Sequence, residues 1–396
     1  MSAAGRYPVL DALLGAGAAR DFMKGPWPAS HLVAHGSLER LPPVLCAAPL
    51  SGLDTLAPLH RGPVVFGRGA VDARTASAEL DAPHLLRLGL AVYLPDIAPV
   101  VPGLAAWLRG FERELGLPEG CSTVGAFAAP PGDGVSCHFD ADDVFSIQLR
   151  GRKVFHVAAA AIPYPAGRQF GPGMLPADEL YPQAGGGFPT PDTARFERIE
   201  MAPGSVLFLP RGTWHRSEAV GESFSISIGI RPPSALDRLL PQLRDLLLQD
   251  PAWRRPLYEA HRPGDAAIDH AAALLAGLPA ILSSLTADDL ARPSTRDHYQ
   301  KIPMSTLAHA REGGRLRLVV TALDGDWSAR TTLDTQAPAH LAPSLAWLAA
   351  REAAFDAADF DAAFPRLPGP DRQQVLALLV RASFLRRLWF PARSDA

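Results

Sequence analysis

The sequence has little cysteine, no long apolar run and almost no charge imbalance, and each shortage removes a class of protein. Cys46, Cys121 and Cys137 are the only cysteines in 396 residues. An odd number without CxxC spacing argues against a disulfide framework or a structural zinc site and fits a reducing compartment. No segment reaches the ~18 uninterrupted apolar residues of a membrane span, and the amino terminus lacks a basic stretch followed by an apolar one. A cytoplasmic protein without membrane association is expected. Lysine and arginine number 38 against 41 aspartates and glutamates, a formal net charge of −3, which leaves no electrostatic footprint for nucleic acid. There is no internal repeat.

A chain of this length favours two or three compact units over one. Residues 1–120 carry one clear amphipathic helix: Pro102 opens it, and Leu104, Trp107, Leu108, Phe111 and Leu115 recur at helical spacing. From 121 to 232 the pattern changes to short β-like runs separated by Pro- and Gly-rich turns, as in an antiparallel sheet or barrel. In SFSISIGI (223–230), Phe224, Ile226, Ile228 and Ile230 alternate with Ser223, Ser225, Ser227 and Gly229. The small polar face either leaves room for a ligand inside a barrel or faces water. After Arg231-Pro-Pro the period turns helical, with Ser234 as N-cap and a stripe of Leu236, Leu239, Leu240, Leu243 and Leu247. The expected division is therefore 1–232, 233–312 and 313–396. The last part has a strand, GRLRLVVTAL (314–323), and three short helices, a winged-helix-like arrangement. Seven Arg against six acidic residues in 341–396 leave it no basic face, so DNA is not an expected partner.

Among twelve histidines, only His138 has a carboxylate two positions later, Asp140, and the pair leads into a β-run. Residues i and i+2 of an extended chain project to one side, so the imidazole and the carboxylate can meet one ion. The third ligand must come from another strand, His156 or His215. If Lys153 points into the barrel, Phe155 and Val157 do too, and His156 points out; His215, just after the apolar run SVLFLP and the turn Arg211-Gly212, is then the third ligand. Two histidines and one carboxylate leave three positions open, which suits non-haem iron(II), although zinc also accepts these ligands. Lys153 favours the oxygenase, because a chelating keto acid with a distal carboxylate needs a cation inside the barrel, here placed on the strand returning from an Arg150-Gly151-Arg152 hairpin.

The stretch HFDADDVFSIQLRGRKVFHV, with its His-x-Asp, its Gln148-Gly151-Lys153 turn and a basic residue fifteen positions after the first His, resembles the JmjC-type 2-oxoglutarate oxygenases, and within them the ribosomal oxygenases. PGSVLFLPRGTWHRSEAVGESFSISIGIRPPS is similar to the family's second segment, with Ser205 where Asp is usual; the departure touches a turn, not a ligand. An amino-terminal segment with Phe22 and Trp27 matches more loosely. The resemblance implies a double-stranded β-helix (cupin or jelly-roll) catalytic domain, then an α-helical dimerisation region and a winged-helix-like domain, in a homodimer. It implies iron(II) held by His138, Asp140 and His215, and the distal carboxylate of the cosubstrate 2-oxoglutarate held by Lys153, with Ser136 and Ser146 as further candidate contacts. The implied reaction consumes dioxygen, converts 2-oxoglutarate to succinate and CO2, and hydroxylates a C–H bond of a protein or peptide substrate, foremost an Arg or His of a ribosomal protein. Tailoring of a ribosomally made peptide natural product and a non-catalytic cupin binding module are the alternatives. The Gly- and Pro-rich segment 163–188 is either a lid over the metal or a surface loop.

Overall fold

The computed structural model describes residues 7–60, 62–68, 74–76, 81–258, 260–261, 265–291, 298–323, 329–367 and 369–388. The chain divides into two compact units, 1–232 and 233–396.

In the first unit, strands β1 (Leu32–Ala34), β2 (Val64–Gly67), β3 (Arg74–Ala76), β4 (Ala91–Leu94), β5 (Ser122–Ala129) and β6 (Asp143–Arg150) are followed by β7 (Lys153–Ala160), β8 (Glu197–Met201), β9 (Val206–Leu209), β10 (Thr213–Ala219) and β11 (Ser223–Ile230). They form an eight-stranded sheet in the order β1-β9-β6-β11-β5-β4-β2-β3 and a three-stranded sheet in the order β10-β7-β8. From β6 onward the chain passes back and forth between the two sheets, the winding of a double-stranded β-helix. The Arg150-Gly151-Arg152 turn is therefore not a hairpin. β6 pairs with β9 and β11, and β7 with β8 and β10, so the turn carries the chain from one sheet to the other. The local sequence specifies a tight turn, with Gly151 at φ +66° where a Cβ would run into the carbonyl of Glu222, but the partner of each arm is a non-local choice.

Alternation in the large sheet separates two interiors. Phe145, Ile147 and Leu149 of β6, Val124, Ala126 and Ala128 of β5, and Phe224, Ile226, Ile228 and Ile230 of β11 face a core shared with helices α1 (Pro8–Leu14), α2 (Ala18–Lys24), α3 (Leu53–Leu56), α4 (Ala82–Arg87) and α5 (Leu104–Glu114). The amphipathic helix expected after Pro102 is α5, which buries Leu104, Leu108 and Phe111. Phe22, Phe111 and Phe208 pack around Phe145 at centroid distances of 4.8–5.8 Å. Each such burial contributes about 2–3 kcal/mol and holds β6 and β9 against the helices, leaving their opposite faces for a cavity. Glu114 of α5 accepts hydrogen bonds from Val9 and Leu10 N–H, tying α1 to the same layer.

In the second unit, α6 (Ala235–Gln249) starts with a capping box between Ser234 and Asp237, and α7 (Pro251–Arg254), α8 (Ala266–Leu282) and α9 (Ala287–Ala291) follow. Further along lie β12 (His298–Lys301), β13 (Thr306–Glu312), β14 (Arg315–Leu323), β15 (Ala329–Pro338), α10 (Ala342–Ala350), β16 (Phe355–Asp356), α11 (Ala357–Ala363), α12 (Gly369–Arg381) and β17 (Leu385–Leu388). β13-β14-β15 form one sheet and β16-β12-β17 another, and Leu316, Leu318, Val320, Leu345, Phe360 and Leu379 share a core. The 312/313 division expected from the sequence falls at the Gly313-Gly314 turn between paired strands β13 and β14, since both arms of that hairpin belong to one sheet. Cys46, Cys121 and Cys137 are unpaired thiols, and no helix among the described residues is long and apolar enough to cross a membrane.

Candidate metal centre

The second interior of the first unit is a cavity of about 350 Å³ between the two sheets. Ser225, Ser227 and Gly229 line it, so the small polar face of β11 points inward and not to water. Thr123 and Phe127 of β5, Val144 and Ser146 of β6, Tyr93 of β4, Lys153 and Phe155 of β7, and His215 and Ser217 of β10 share the lining.

His138, Asp140 and His215 meet at one end, their ligand atoms all within 4.8 Å of one another. A two-way backbone bridge brings the histidines together: His138 N–H donates to His215 O at 3.0 Å, and His215 N–H to His138 O at 2.8 Å. Gly212 N–H donates to Asp140 O at 2.8 Å. Alternation then sends the intervening aromatics the other way. Phe139 and Trp214 pack edge to face at 5.1 Å in a separate apolar cluster, while His138, Asp140 and His215 project into the cavity. Each imidazole offers Nδ1 to a backbone carbonyl, His138 to Ser136 O at 2.6 Å and His215 to Thr213 O at 3.0 Å. That bond fixes the proton on Nδ1 and presents the Nε2 lone pair. Both Nε2 atoms lie 3.6 Å from the Asp140 carboxylate, one to each oxygen. Burial, reinforced by His138 and opposed by Asp140, pushes the His215 imidazole down to about 4, which keeps it in the neutral, ligating form. Two Nε2 lone pairs and one carboxylate on one side of a small space fit a divalent metal with open positions, iron(II) among them.

Lys153 is 3% exposed. Its Nζ donates to Ser225 Oγ at 3.0 Å and lies 4.4 Å from the centre of the Phe127 ring. Burial alone pushes its amine down to about 7. Among the described residues no carboxylate forms an ion pair with it, so its charged form has no counter-ion from the protein. Gln148, of the same motif, hydrogen-bonds through Nε2 to Arg150 O at 2.7 Å and steadies the turn before Lys153.

Of the other sequence candidates, Ser146 lines the cavity, whereas Ser136 takes part through its carbonyl. His156 lies outside the cavity lining, opposite Arg216 and Arg198 on neighbouring strands, as pleat parity requires. Ser205 fills the turn: its Oγ accepts from Ala202 N–H at 3.1 Å and lies 3.1 Å from His35 Nδ1. Segment 163–188 is docked beside His138 and Asp140 through reciprocal 2.9 Å backbone bonds between Phe139 and Phe170, and its Gln169 joins the cavity wall. Sequence reasoning missed Tyr93, Phe127 and Asp142. Tyr93 lies across Gly125, where a Cβ would collide with the ring, and burial with the carboxylates of Asp140, Asp142 and Asp96 pushes its hydroxyl up to about 12. The small Gly125 in an otherwise regular strand is the signal that marks such a close approach.

Residues 117–237 match the JmjC domain family. The chain is 26% identical over 256 residues to the protein YxbC of Bacillus subtilis, covering 62% of this chain and 78% of that protein. It is 30% identical over 164 residues to the bifunctional lysine-specific demethylase and histidyl-hydroxylase NO66 of Drosophila willistoni, covering 39% of this chain and 17% of that protein. Among solved structures, the Escherichia coli ribosomal oxygenase YcfD in complex with cobalt and 2-oxoglutarate superposes with a TM-score of 0.43 at 19% identity, over 93% of this chain and 98% of that one. The matched segment, residues 117–237, holds β6, β7, β10 and β11 together with His138, Asp140 and His215, and is similar to a JmjC domain.

Proposed function

We propose that the protein is an iron(II)- and 2-oxoglutarate-dependent dioxygenase that hydroxylates a protein or peptide side chain, foremost an Arg or His of a ribosomal protein. The observation that carries the reaction class is Lys153: a buried amine, held by Ser225, lining the same cavity as the His138, Asp140 and His215 donors. A dicarboxylate that chelates a metal through one end and meets a cation with the other satisfies both groups at once. Bound iron(II) would supply the activation of dioxygen that couples conversion of 2-oxoglutarate to succinate and CO2 with insertion of one oxygen atom into a C–H bond. The chain's own residues orient the donors through Ser136 O and Thr213 O, neutralise the distal carboxylate through Lys153, and exclude water with Phe127, Phe155 and Tyr93. The protein-substrate reading is supported by the histidyl-hydroxylase relative, whose similarity is confined to 164 residues.

Two measurements test this. Purified protein with iron(II) and ascorbate should convert 2-oxoglutarate to succinate, and a chelator should stop it; absence of turnover under all conditions leaves the binding-module alternative. Mass spectrometry of ribosomal proteins from a deletion strain should show the loss of one +16 Da modification; an unchanged pattern removes the ribosomal substrate and points to the peptide natural-product alternative.

We further propose a homodimer formed through the helices that follow the catalytic unit, ahead of the winged-helix-like part. Neither α6 nor α8 buries a single residue, and Leu236, Leu240, Ile268 and Leu275 are each more than half exposed. Apolar stripes of that length are covered in solution, and a second copy of the same helices is a self-complementary cover. Changing Leu240 and Leu275 together to Glu is expected to halve the mass measured by light scattering; a wild-type protein that is already monomeric overturns the dimer.

A further inference from the structure

We infer that Asp143 and Arg211 form a positioning pair that locks the segment bearing His138 and Asp140 to the segment bearing His215. This inference rests on the metal-centre reading given above. Asp143 follows Asp140 by three residues at the start of β6, and Arg211 precedes His215 by four in the turn between β9 and β10. His215 lies in β10, whereas His138 and Asp140 precede β6 of the other sheet, and one isolated backbone bridge, His138 to His215, pairs the two segments. A three-point clamp adds a side-chain tie to that bridge: Arg211 Nη2 and Nε donate to one Asp143 oxygen at 2.7 and 3.1 Å, and the Arg211 backbone N–H donates to the other at 3.0 Å. Both side chains are withdrawn from solvent, with 15% and 6% of their surfaces exposed. The guanidinium also reaches Ile230 O at 3.4 Å, at the end of β11. The next residue, Gly212, makes the direct link to Asp140 O, and the preceding residue, Asp142, pairs with Arg231, just past β11.

An ion pair in this position has a task that bulk stability does not require. A planar guanidinium held at three points restricts both the distance and the twist between the turn and β6, and the His215 imidazole inherits that restriction through one strand residue pair. Asp143 and Arg211 touch no ligand atom and act only through backbone. Partners of this kind tune metal affinity by about 10- to 100-fold when changed.

The test uses Arg211→Lys, which keeps a positive charge but loses the planar fork, with Asp143→Asn as a second variant. Mn(II) alone, an ion visible by electron paramagnetic resonance, serves as the probe. Arg211→Lys is expected to weaken Mn(II) binding about tenfold or more, and amide exchange in the metal-free protein should accelerate at Gly212 and His215 while β4 and β5 keep wild-type protection. A dissociation constant within about twofold of wild type, or an acceleration spread evenly over the domain, overturns the inference. Wild-type protein that binds no Mn(II) would instead remove the metal-site reading, and the exchange comparison, which needs no metal, still decides the clamp.

Discussion

Replacing Lys153 by methionine is expected to abolish 2-oxoglutarate turnover and, at the same time, to raise the melting temperature of the metal-free protein at pH 6. The two effects have one cause. The amine is almost fully buried with one hydroxyl and two aromatic rings for company, and burial pushes it down to about 7 from the ordinary lysine value of 10.5. Because the native group has the lower pKa, the unfolded chain binds more protons between about pH 7 and 10.5, and stability rises with pH through that window. Below it the charged amine is buried at full cost, on the order of 4 kcal/mol. Methionine fills the same space without the charge, and a gain of that size raises the melting temperature by roughly 5–15 °C.

Binding reverses the balance. A carboxylate opposite Lys153 needs the charged amine, so removing it should weaken 2-oxoglutarate by about 30-fold to several thousandfold. The same logic sets a pH dependence: above about pH 7 the apparent affinity of the wild type for 2-oxoglutarate falls by up to tenfold per pH unit, whereas Lys153→Arg, charged throughout, shows no such decline. Calorimetric titration at pH 6.5 and 8.5 measures it. A methionine variant that melts lower at pH 6 and binds 2-oxoglutarate as well as wild type would sink the role assigned to Lys153.

Asp140→Ala is expected to lower Mn(II) or iron(II) affinity by more than about 100-fold with no loss of the fold. Its carboxylate is the one anionic donor in the cluster, opposite both Nε2 atoms at 3.6 Å, and its side chain is partly exposed, so its loss leaves little cavity behind. His215→Ala should have the same effect on metal. His156→Ala, altered on the outer face of β7, should have none. Metal titration of the three variants decides the ligand set: affinity lost at His156 and kept at His215 would reverse the assignment.

Much of this site is legible in the residues because it obeys short-range alternation. His138 and Asp140 project together with Phe139 turned away, and Lys153 and Phe155 project together with His156 turned away. A two-residue period holds wherever the chain is extended, so the parity that selected His215 over His156 needs no knowledge of the partner strands. The same period placed Ser225 and Ser227 on one face of β11 but left open which face met water. One face packs on helices and the other, half-buried at Ser227 and Gly229, lines the cavity. Alternation alone cannot distinguish a two-sided interior from a half-exposed sheet. Strands β12, β13 and β15–β17 were not expected, because their side chains carry weak alternation and their existence depends on pairing across long separations.

What the sequence by itself determined is the shared projection of His138 and Asp140, the tight turns at Gly151 and Gly212, and the boundary after Pro232, each a property of a few neighbouring residues. The tertiary structure decided how those pieces face one another. Arg150-Gly151-Arg152 crosses between sheets, Tyr93 and Phe127 join the cavity from strands outside the motif, and Arg211 finds Asp143 across 68 positions. The reason is physical: local sterics choose a turn or a side-chain direction within a few residues, whereas the sheet in which a strand lies is settled by burial of both its faces, a sum over the whole domain.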